Sequence, residues 1–332
     1  MKRLLLFAAA FALIACLGCD QSKNPASPKD AALVGDEIAP QRADADDAEL
    51  SAQEQNGPEN QSAAATIKVP DDYPTIQAAV DAANAGDKIV VKASGSPYNE
   101  NVFIRKADLQ ITAKGSVTVN GSFLVQANGV KIDYFHVNVL LPPGGPDGGI
   151  DIGAVSGVKI RHNTITGNNR GIFLNGSTDC LIEKNTCTGL PADGILLYYN
   201  ANGNTITKNT CTGNIEGINL VFSNNNEVSF NDCSTNRQSG IALNGSNNKF
   251  KNNVCNRNGT GITANPGAGS NSFGPGNTAN FNVSYGIILA LANNNTVKKN
   301  NLHCNTVGDV LDFGTGNTFI NNSTGPLPGG CQ

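Results

Sequence analysis

Two carboxylates and one guanidinium recur at equal spacing in the middle of the chain. Arg170, Asp193 and Glu216 stand 23 residues apart, each directly before a Gly-Ile dipeptide. If one interval is one structural repeat, equivalent side chains on adjacent strands lie about 5 Å apart. Carboxylates at that separation act in retaining glycosidases, and carboxylate clusters also bind Ca²⁺. The row is therefore a candidate site, although its spacing alone assigns no catalytic residue.

Four more side chains are expected on the same outward face of the fold: Asp151, Phe173, Tyr198 and Asn219. Aromatic rings can stack on the apolar faces of sugars, and carboxylates and amides can bond to sugar hydroxyls. We therefore predict that this face binds an extended polysaccharide. A structural alternative stays open, because Asp and Glu before Gly are ordinary turn residues and Arg170 could simply pair with Asp193.

The element that positions this row is a repeat of about 22–23 residues. Its Gly-Ile dipeptides begin at Gly149, Gly171, Gly194, Gly217, Gly240, Gly261 and Gly286. Each period is too short for a strand, a helix and two loops, but it fits three short strands and three turns. Stacked coils of this kind bury each other's inward faces. The repeat predicts an all-β parallel solenoid, and a leucine-rich repeat is disfavoured because its Leu-x-x-Leu-x-Leu pattern is missing.

Like residues recur in columns along this predicted solenoid. The clearest apolar column contains Ile150, Ile172, Ile195, Ile218, Ile241, Ile262, Ile287 and Val310. A polar column contains Asn204, Asn226, Asn248, Asn295 and Asn317. An amide at a turn can bond to the same amide one coil away and to local backbone. The polar column therefore resembles the asparagine ladder of right-handed parallel β-helices.

A short helix is predicted before the repeats. Thr75 is a suitable N-cap, the apolar stripe of Ile76, Ala79, Val80 and Ala83 follows, and Gly86 ends the pattern. Strands are expected at residues 88–92 and 101–105. A solenoid needs a cover at its open end, where strand edges are exposed, so we expect this helix to be a cap.

Three segments of this region resemble the start of pectin-lyase-like proteins: YPTIQAAV at 73–80, GDKIVV at 86–91 and YNENV at 98–102. The later Asn-rich Gly-Ile coils are similar to those of the NosD-like branch. The resemblance covers residues 66 to about 325 and implies a right-handed parallel β-helix with a short N-terminal capping helix. It does not imply one activity, since the superfamily includes lyases, hydrolases, epimerases, esterases and non-enzymes.

The N-terminus has the pattern of an export signal. Lys2 and Arg3 precede an apolar run at 4–15, which is too short to span a bilayer. The run ends in Leu-Ile-Ala-Cys, which resembles a bacterial lipobox. We predict a lipoprotein signal peptide at 1–19 with lipidation at Cys16, or alternatively at Cys19; an ordinary cleaved signal is the competing interpretation. The prediction places a membrane-anchored lipoprotein in the bacterial cell envelope, periplasmic or at the cell surface.

Residues 20–65 have the composition of a disordered acidic linker. Ten acidic and three basic residues give this segment a net charge of −7. The chain carries −4 and residues 1–19 carry +2, so the solenoid domain predicted at 66–332 carries +1. A nearly neutral domain lacks the basic face of a nucleic-acid binder, and no nucleic-acid partner is expected.

The cysteines and histidines are not arranged as a metal site. Four of the nine cysteines, Cys187, Cys211, Cys233 and Cys255, form one inward column, where we expect buried thiols with a high pKa. Metal ligands converge on a point, which a column does not, and the three histidines are scattered. No metal or other cofactor is predicted, with Ca²⁺ as the one open possibility. Cys304 and Cys331 are possible disulfide partners in an oxidising compartment.

Three functions remain open from the sequence. The first is a lipoprotein that binds extended polysaccharide, with the membrane as its second partner through the lipid anchor. The second is a lyase, hydrolase or epimerase acting on polysaccharide, although the known signatures of pectate lyases, pectin methylesterases and alginate epimerases are not recognisable. The third is an accessory or scaffold protein of the periplasm, as the NosD-like resemblance implies.

Overall fold

Short strands with alternating apolar residues follow one another through the whole described part of the chain, because each coil can bury its inward side chains only against the next. The computed structural model describes residues 63–140, 147–167, 169–327 and 329–331. The predicted signal peptide at 1–19, with Cys16 and Cys19, and nearly all of the predicted linker lie outside these residues. The described chain is a right-handed parallel β-solenoid of about 12 turns with very little helix. No described helix is long and apolar enough to cross a membrane.

One face of the solenoid is a sheet of 15 parallel strands. With labels in chain order, its main path contains β1 (Thr66–Val69), β2 (Lys88–Lys92), β4 (Gln110–Asn120), β6 (Lys131–Val139), β8 (Lys159–Arg161), β11 (Leu181–Glu183), β14 (Thr205–Thr207), β17 (Glu227–Ser229), β19 (Lys249–Lys251), β21 (Ser272–Phe273), β23 (Thr296–Lys298) and β26 (Thr318–Ile320). Beside this path lie β9 (Thr164–Gly167), β12 (Thr186–Thr188) and β15 (Thr210–Thr212).

A second face is a sheet of ten parallel strands, and it carries the candidate site. It contains β3 (Val102–Ile104), β5 (Phe123–Val125), β7 (Gly148–Gly153), β10 (Arg170–Asn175), β13 (Ile195–Tyr198), β16 (Ile218–Val221), β18 (Ser239–Leu243), β20 (Thr260–Ala264), β22 (Tyr285–Leu289) and β25 (Gly308–Asp312). A small third sheet pairs β24 (Asn301–His303) with β27 (Ser323–Gly325).

The short helix predicted before the repeats is present as α1 (Ile76–Ala82), and a 3-10 turn follows at Ala93–Gly95. Thr75 is its N-cap and accepts a hydrogen bond of 3.1 Å from the Ala78 amide. The Glu100 carboxylate accepts two more bonds from amides of the first turn. The buried side of α1 packs against β1, β2 and β3. Its role as a cap of the open end stays a prediction.

Strand register confirms the apolar column read from the sequence. Ile195 pairs with Ile218, which pairs with Ile241, and all three side chains are fully buried. The same register continues from Ile150 to Val310. Because parallel strands lie about 4.8 Å apart, each of these side chains contacts its equivalents in the coils on both sides. The core is therefore a set of columns along the solenoid axis.

Buried asparagines form three ladders rather than one. The first contains Asn163, Asn185, Asn209, Asn231, Asn253, Asn277, Asn300 and Asn322; the second Asn204, Asn226, Asn248, Asn271, Asn295 and Asn317; the third Asn214, Asn236, Asn258, Asn282 and Asn305. In each rung but one, the side-chain oxygen of the later Asn accepts from the backbone amide of the Asn one coil earlier. In the rung of Asn277 with Asn300, that oxygen accepts from the Asn277 side-chain amide. The sequence predicted the second ladder without Asn271, and it identified neither of the other two as a ladder.

The cysteine column is buried and its thiols are free. Cys187 and Cys211 are register partners, and their thiols hydrogen-bond along the column. The bond to Cys211 and burial raise the pKa of Cys187, burial raises the pKa of Cys233, and bonds from both neighbours lower the pKa of Cys211 to about 6. The pKa of Cys187 and of Cys233 is therefore raised, as expected, while the hydrogen bonds along the column act in the opposite direction on Cys211. At the C-terminal end, Cys304 and Cys331 form a disulfide.

Candidate functional site

The register of β7, β10, β13 and β16 brings all the predicted ligand-binding residues onto the outer face of the ten-stranded sheet. Asp151 is the register partner of Phe173, which lies one strand from Leu196, which in turn lies one strand from Asn219. Arg170 begins β10, and Tyr198 ends β13. Asp193 and Glu216 immediately precede the Gly-Ile pairs of the next two coils. We call these seven residues the sheet face: Asp151, Arg170, Phe173, Asp193, Tyr198, Glu216 and Asn219.

Arg170 is the centre of the contacts on the sheet face. Its Nε lies 3.5 Å from Asp193 Oδ2, and its Nη1 lies 3.7 Å from Asp147 Oδ1. Its guanidinium carbon lies 5.7 Å from the centre of the Phe173 ring, in cation–π geometry. Asn219 also hydrogen-bonds to the Asp193 carboxylate. The ion pair of Arg170 with Asp193, which the structural alternative predicts, is present. A ligand-binding role and a structural role for the carboxylates both stay open.

Burial raises the pKa of all three predicted carboxyls. The pKa of Asp151 rises to about 6 by burial, against a hydrogen bond from the Asp147 amide. The pKa of Glu216 rises to about 7, first by burial and then by the charge of Asp193. Burial also raises the pKa of Asp193, although the charge of Arg170 and hydrogen bonding with Arg170 and Asn219 lower this pKa in part. A carboxyl with a pKa near 7 can both give and take a proton at neutral pH.

Glu216 differs from its neighbours in its partners. Within the described residues, its carboxyl makes no hydrogen bond and no ion pair. The side chain is partly covered, yet it remains open to solvent. A carboxyl that is desolvated but unpaired is a common feature of functional sites, because structural carboxylates are normally compensated by donors.

Aromatic rings extend from the sheet face into the following turns. The ring centroids are 6.0 Å apart for Phe173 and Tyr198, 4.4 Å for Tyr198 and Tyr199, and 5.1 Å for Tyr199 and Phe222. Phe173 is only 6% exposed, because Arg170 and Tyr198 lie against its ring, so it supports its neighbours rather than offering a free face. Sequence reasoning missed Tyr199 and Phe222, because they lie in turns outside the periodic outward columns.

A shallow polar cleft of about 520 Å³ lies on a different corner of the solenoid. It runs across turns that contain Gly203, Asn225, Asn247 and Ser270. Its lining also includes Glu227, whose carboxylate lies 3.5 Å from the Lys251 ammonium. This cleft was not predicted, and the only sequence signal for it is the Asn-rich turn that recurs in these coils. Its carboxylate is paired, which makes it a weaker candidate than the sheet face.

The possible metal ligands of the described residues do not assemble into a cluster. Within these ranges, no group of three or more His, Cys, Asp or Glu side chains could hold a metal ion. His136 lies on β6, His162 follows β8 and His303 lies on β24. The His162 ring instead stacks on Tyr134 at 4.6 Å.

Comparison with known proteins identifies the fold. A family model described as a right-handed β-helix region matches residues 148–302. No curated protein matches the chain. Solved structures that are 12–15% identical to this chain also match it, and similarity at that level shows the fold alone.

Three solved structures illustrate this similarity, and they share the pectin-lyase-like fold. A mutant of the periplasmic alginate epimerase AlgG is 15% identical, with a TM-score of 0.53 over 72% of this chain and 77% of that chain. The A-module of the Azotobacter vinelandii mannuronan C-5 epimerase AlgE4 is 14% identical, with a TM-score of 0.53 over 75% and 90%. A mannuronic-acid-specific family 6 polysaccharide lyase from human gut microbiota is 12% identical, with a TM-score of 0.57 over 74% and 66%.

Proposed function

We propose that this protein is an exported lipoprotein that binds an extended polysaccharide along the outer face of its ten-stranded sheet. The observation that carries the proposal is the sheet face itself, where desolvated carboxyls recur from coil to coil beside one guanidinium and the exposed Tyr198 ring. Successive coils present equivalent side chains about 4.8 Å apart, so a polymer can contact several of them in the same way. The alginate epimerase, the mannuronan epimerase and the mannuronic-acid lyase supply support by analogy of fold.

The first test of this proposal concerns the sheet face. Asp193→Asn combined with Glu216→Gln removes two negative charges with little change of shape. If these carboxyls bind sugar hydroxyls, affinity for the cognate glycan should fall roughly 10- to 100-fold, the effect of losing two charge-assisted hydrogen bonds. Affinity gels and calorimetry against alginate, polymannuronate and a neutral glucan measure the change. The matched control is Asp108→Asn with Asp179→Asn, because both carboxylates are exposed and stand in turns away from the sheet face.

The thermal stability of the same variant separates binding from structure. Because the folded pKa of Glu216 is near 7 and its ordinary value is 4.5, folded protein binds more protons than unfolded protein between these pH values. Wild-type stability should therefore fall as pH rises through this window. The variant lacks this loss and should be at least as stable as wild type at pH 8. Lower stability with unchanged glycan binding would show that these carboxyls are structural.

The lipid anchor is the part of the proposal that the N-terminal sequence supports. We expect the mature protein to begin with a fatty-acylated Cys16, because the basic start and short apolar run lead directly to Leu-Ile-Ala-Cys. Mass spectrometry of membrane-extracted protein checks this. Cys16→Ser should leave an unacylated protein, whereas Cys19→Ser should leave acylation unchanged; the reverse pattern would assign Cys19. A mature N-terminus without acyl mass in the wild type would contradict anchoring.

An accessory role in a periplasmic complex is an alternative function for an anchored protein, and the similarity of the coils to NosD-like proteins is its support.

Catalysis on the bound glycan is a second candidate function, and one observation favours it. Glu216 has a pKa near 7 and no described partner, which is the state expected of a general acid or base. Asp151, with a pKa near 6, is a second titrating carboxyl on the same face. Incubation of wild-type protein with each glycan, followed by chromatography of the products, tests for turnover. Binding without any shortened or unsaturated product would leave a pure binding protein.

A further inference from the structure

Three exposed aromatic side chains continue the sheet face across two coils. We define Tyr198, Tyr199 and Phe222 as the aromatic track. Their rings are in contact in sequence, at 4.4 Å and then 5.1 Å between centroids. They are 36%, 49% and 49% exposed, so each ring offers much of its surface to solvent. The buried Phe173 ring joins the track to Arg170 and the carboxyls.

The backbone of the track is unfavourable for the residues it carries. Tyr199 has φ +39° and Phe222 has φ +48°, in the left-handed region that bulky side chains rarely adopt. Tyr199 and Phe222 occupy the same turn position as Ala154 and Gly176 of the preceding coils. All four directly follow the last outward residue of a paired strand. Smaller residues thus serve the same turn. Neither ring is buried, so core packing does not account for bulky residues at these two positions, and both rings are available to a ligand.

The charge beside the track selects the kind of sugar. Asp147, Asp151, Asp193 and Glu216 lie on this face, and Arg170 is the one basic side chain that interacts with them within the described chain. Even with Glu216 partly protonated at neutral pH, the face is negative. A polyuronate carries one carboxylate on each sugar, and the negative potential of this face would disfavour its approach.

We infer that the aromatic track is a stacking surface for a polysaccharide of uncharged sugars, which lies along the solenoid axis with its ring faces on Tyr198, Tyr199 and Phe222. The inference rests on the proposed function and names its substrate class. It departs from the three structural neighbours, whose printed names refer to alginate, mannuronan and mannuronic acid. Stacking on aromatic rings uses the apolar C–H faces of the sugars and needs no charge on the ligand.

The test uses the double variant Tyr199→Gly with Phe222→Gly in the full chain. Glycine relieves the left-handed strain, so the melting temperature should not fall. Affinity for the neutral glucan should weaken roughly tenfold or more, since two stacking rings are lost. The matched control is Phe230→Gly, because Phe230 is 57% exposed and has φ +57° in a different turn column. It should bind like wild type.

The glycan panel and salt dependence complete the experiment. Wild type should bind soluble β-glucan more tightly than alginate, with affinity that changes less than about twofold between 0.05 and 1 M NaCl. Tighter binding of alginate, unchanged glucan binding in the double variant, or a lower melting temperature of that variant would each overturn the inference. So would a concentration-dependent dimer in sedimentation that the double variant abolishes, since the track would then contact a second copy.

Failure of the track is distinguishable from failure of the proposed function. If Asp193→Asn with Glu216→Gln loses glycan binding while Tyr199→Gly with Phe222→Gly keeps it, the sheet face binds glycan and the track does not. If wild type binds no glycan in the panel, the proposed function fails, and the inference fails with it.

Discussion

Ile218→Asp should unfold the middle coils of the solenoid and lower the free energy of unfolding by several kcal/mol. Ile218 is fully buried between its register partners Ile195 and Ile241. A carboxylate at this position has apolar neighbours in the coils on both sides and no donor that could compensate it, so its desolvation is not recovered. The variant can keep its fold only by holding the carboxyl protonated, which makes the loss larger at high pH.

Thermal and urea unfolding followed by circular dichroism measure this effect. In a solenoid, each coil is stabilised mainly by its neighbours, so the defect should spread through the adjacent coils rather than stay local. Val283→Asp is the matched control, because Val283 is 70% exposed and should change stability by less than about 0.5 kcal/mol. Ile218→Val should cost about 1 kcal/mol. An Ile218→Asp protein that melts at the wild-type temperature would contradict the register of the coils.

Asn231→Ala should destabilise the fold by about 3 kcal/mol or more, which is large for a polar residue. Its side-chain oxygen accepts from the Asn209 amide at 2.8 Å and from the Asn209 side chain at 3.0 Å. Its side-chain nitrogen donates to the Ile206 carbonyl at 2.9 Å and to the Asn253 side chain at 3.0 Å. Removal leaves these buried groups unpaired, at about 1–3 kcal/mol for each unsatisfied group.

The control for the ladder is Asn301→Ala, because Asn301 is exposed on β24 and its side chain is not part of a rung. Chemical unfolding at constant pH compares the two variants with wild type. Amide hydrogen exchange adds a local measure, since the Asn209 amide should exchange faster in Asn231→Ala than in wild type. Equal stability of the two variants would mean that the ladder contributes little net free energy.

The candidate site was only partly predictable from the sequence. Arg170, Asp193 and Glu216 could be placed together because residues of equal phase in successive coils must become neighbours. The exposure of Phe173 could not be predicted, since it depends on the Arg170 and Tyr198 side chains that cover the ring. Tyr199 and Phe222 lie at turn positions where the neighbouring coils carry small residues, so no column indicated that their rings would meet.

The sequence by itself determined the coil period, the inward apolar column and one asparagine ladder, because each is a regular spacing and stacking converts equal spacing directly into contact. Only the tertiary structure decided how far each polar group is removed from water. The raised pKa of Glu216 depends first on burial by surrounding coils, which spacing does not encode, and only then on the charge of Asp193. The aromatic track likewise arises from contacts between coils. Such contacts depend on side-chain direction and burial, which exist only once the chain has folded.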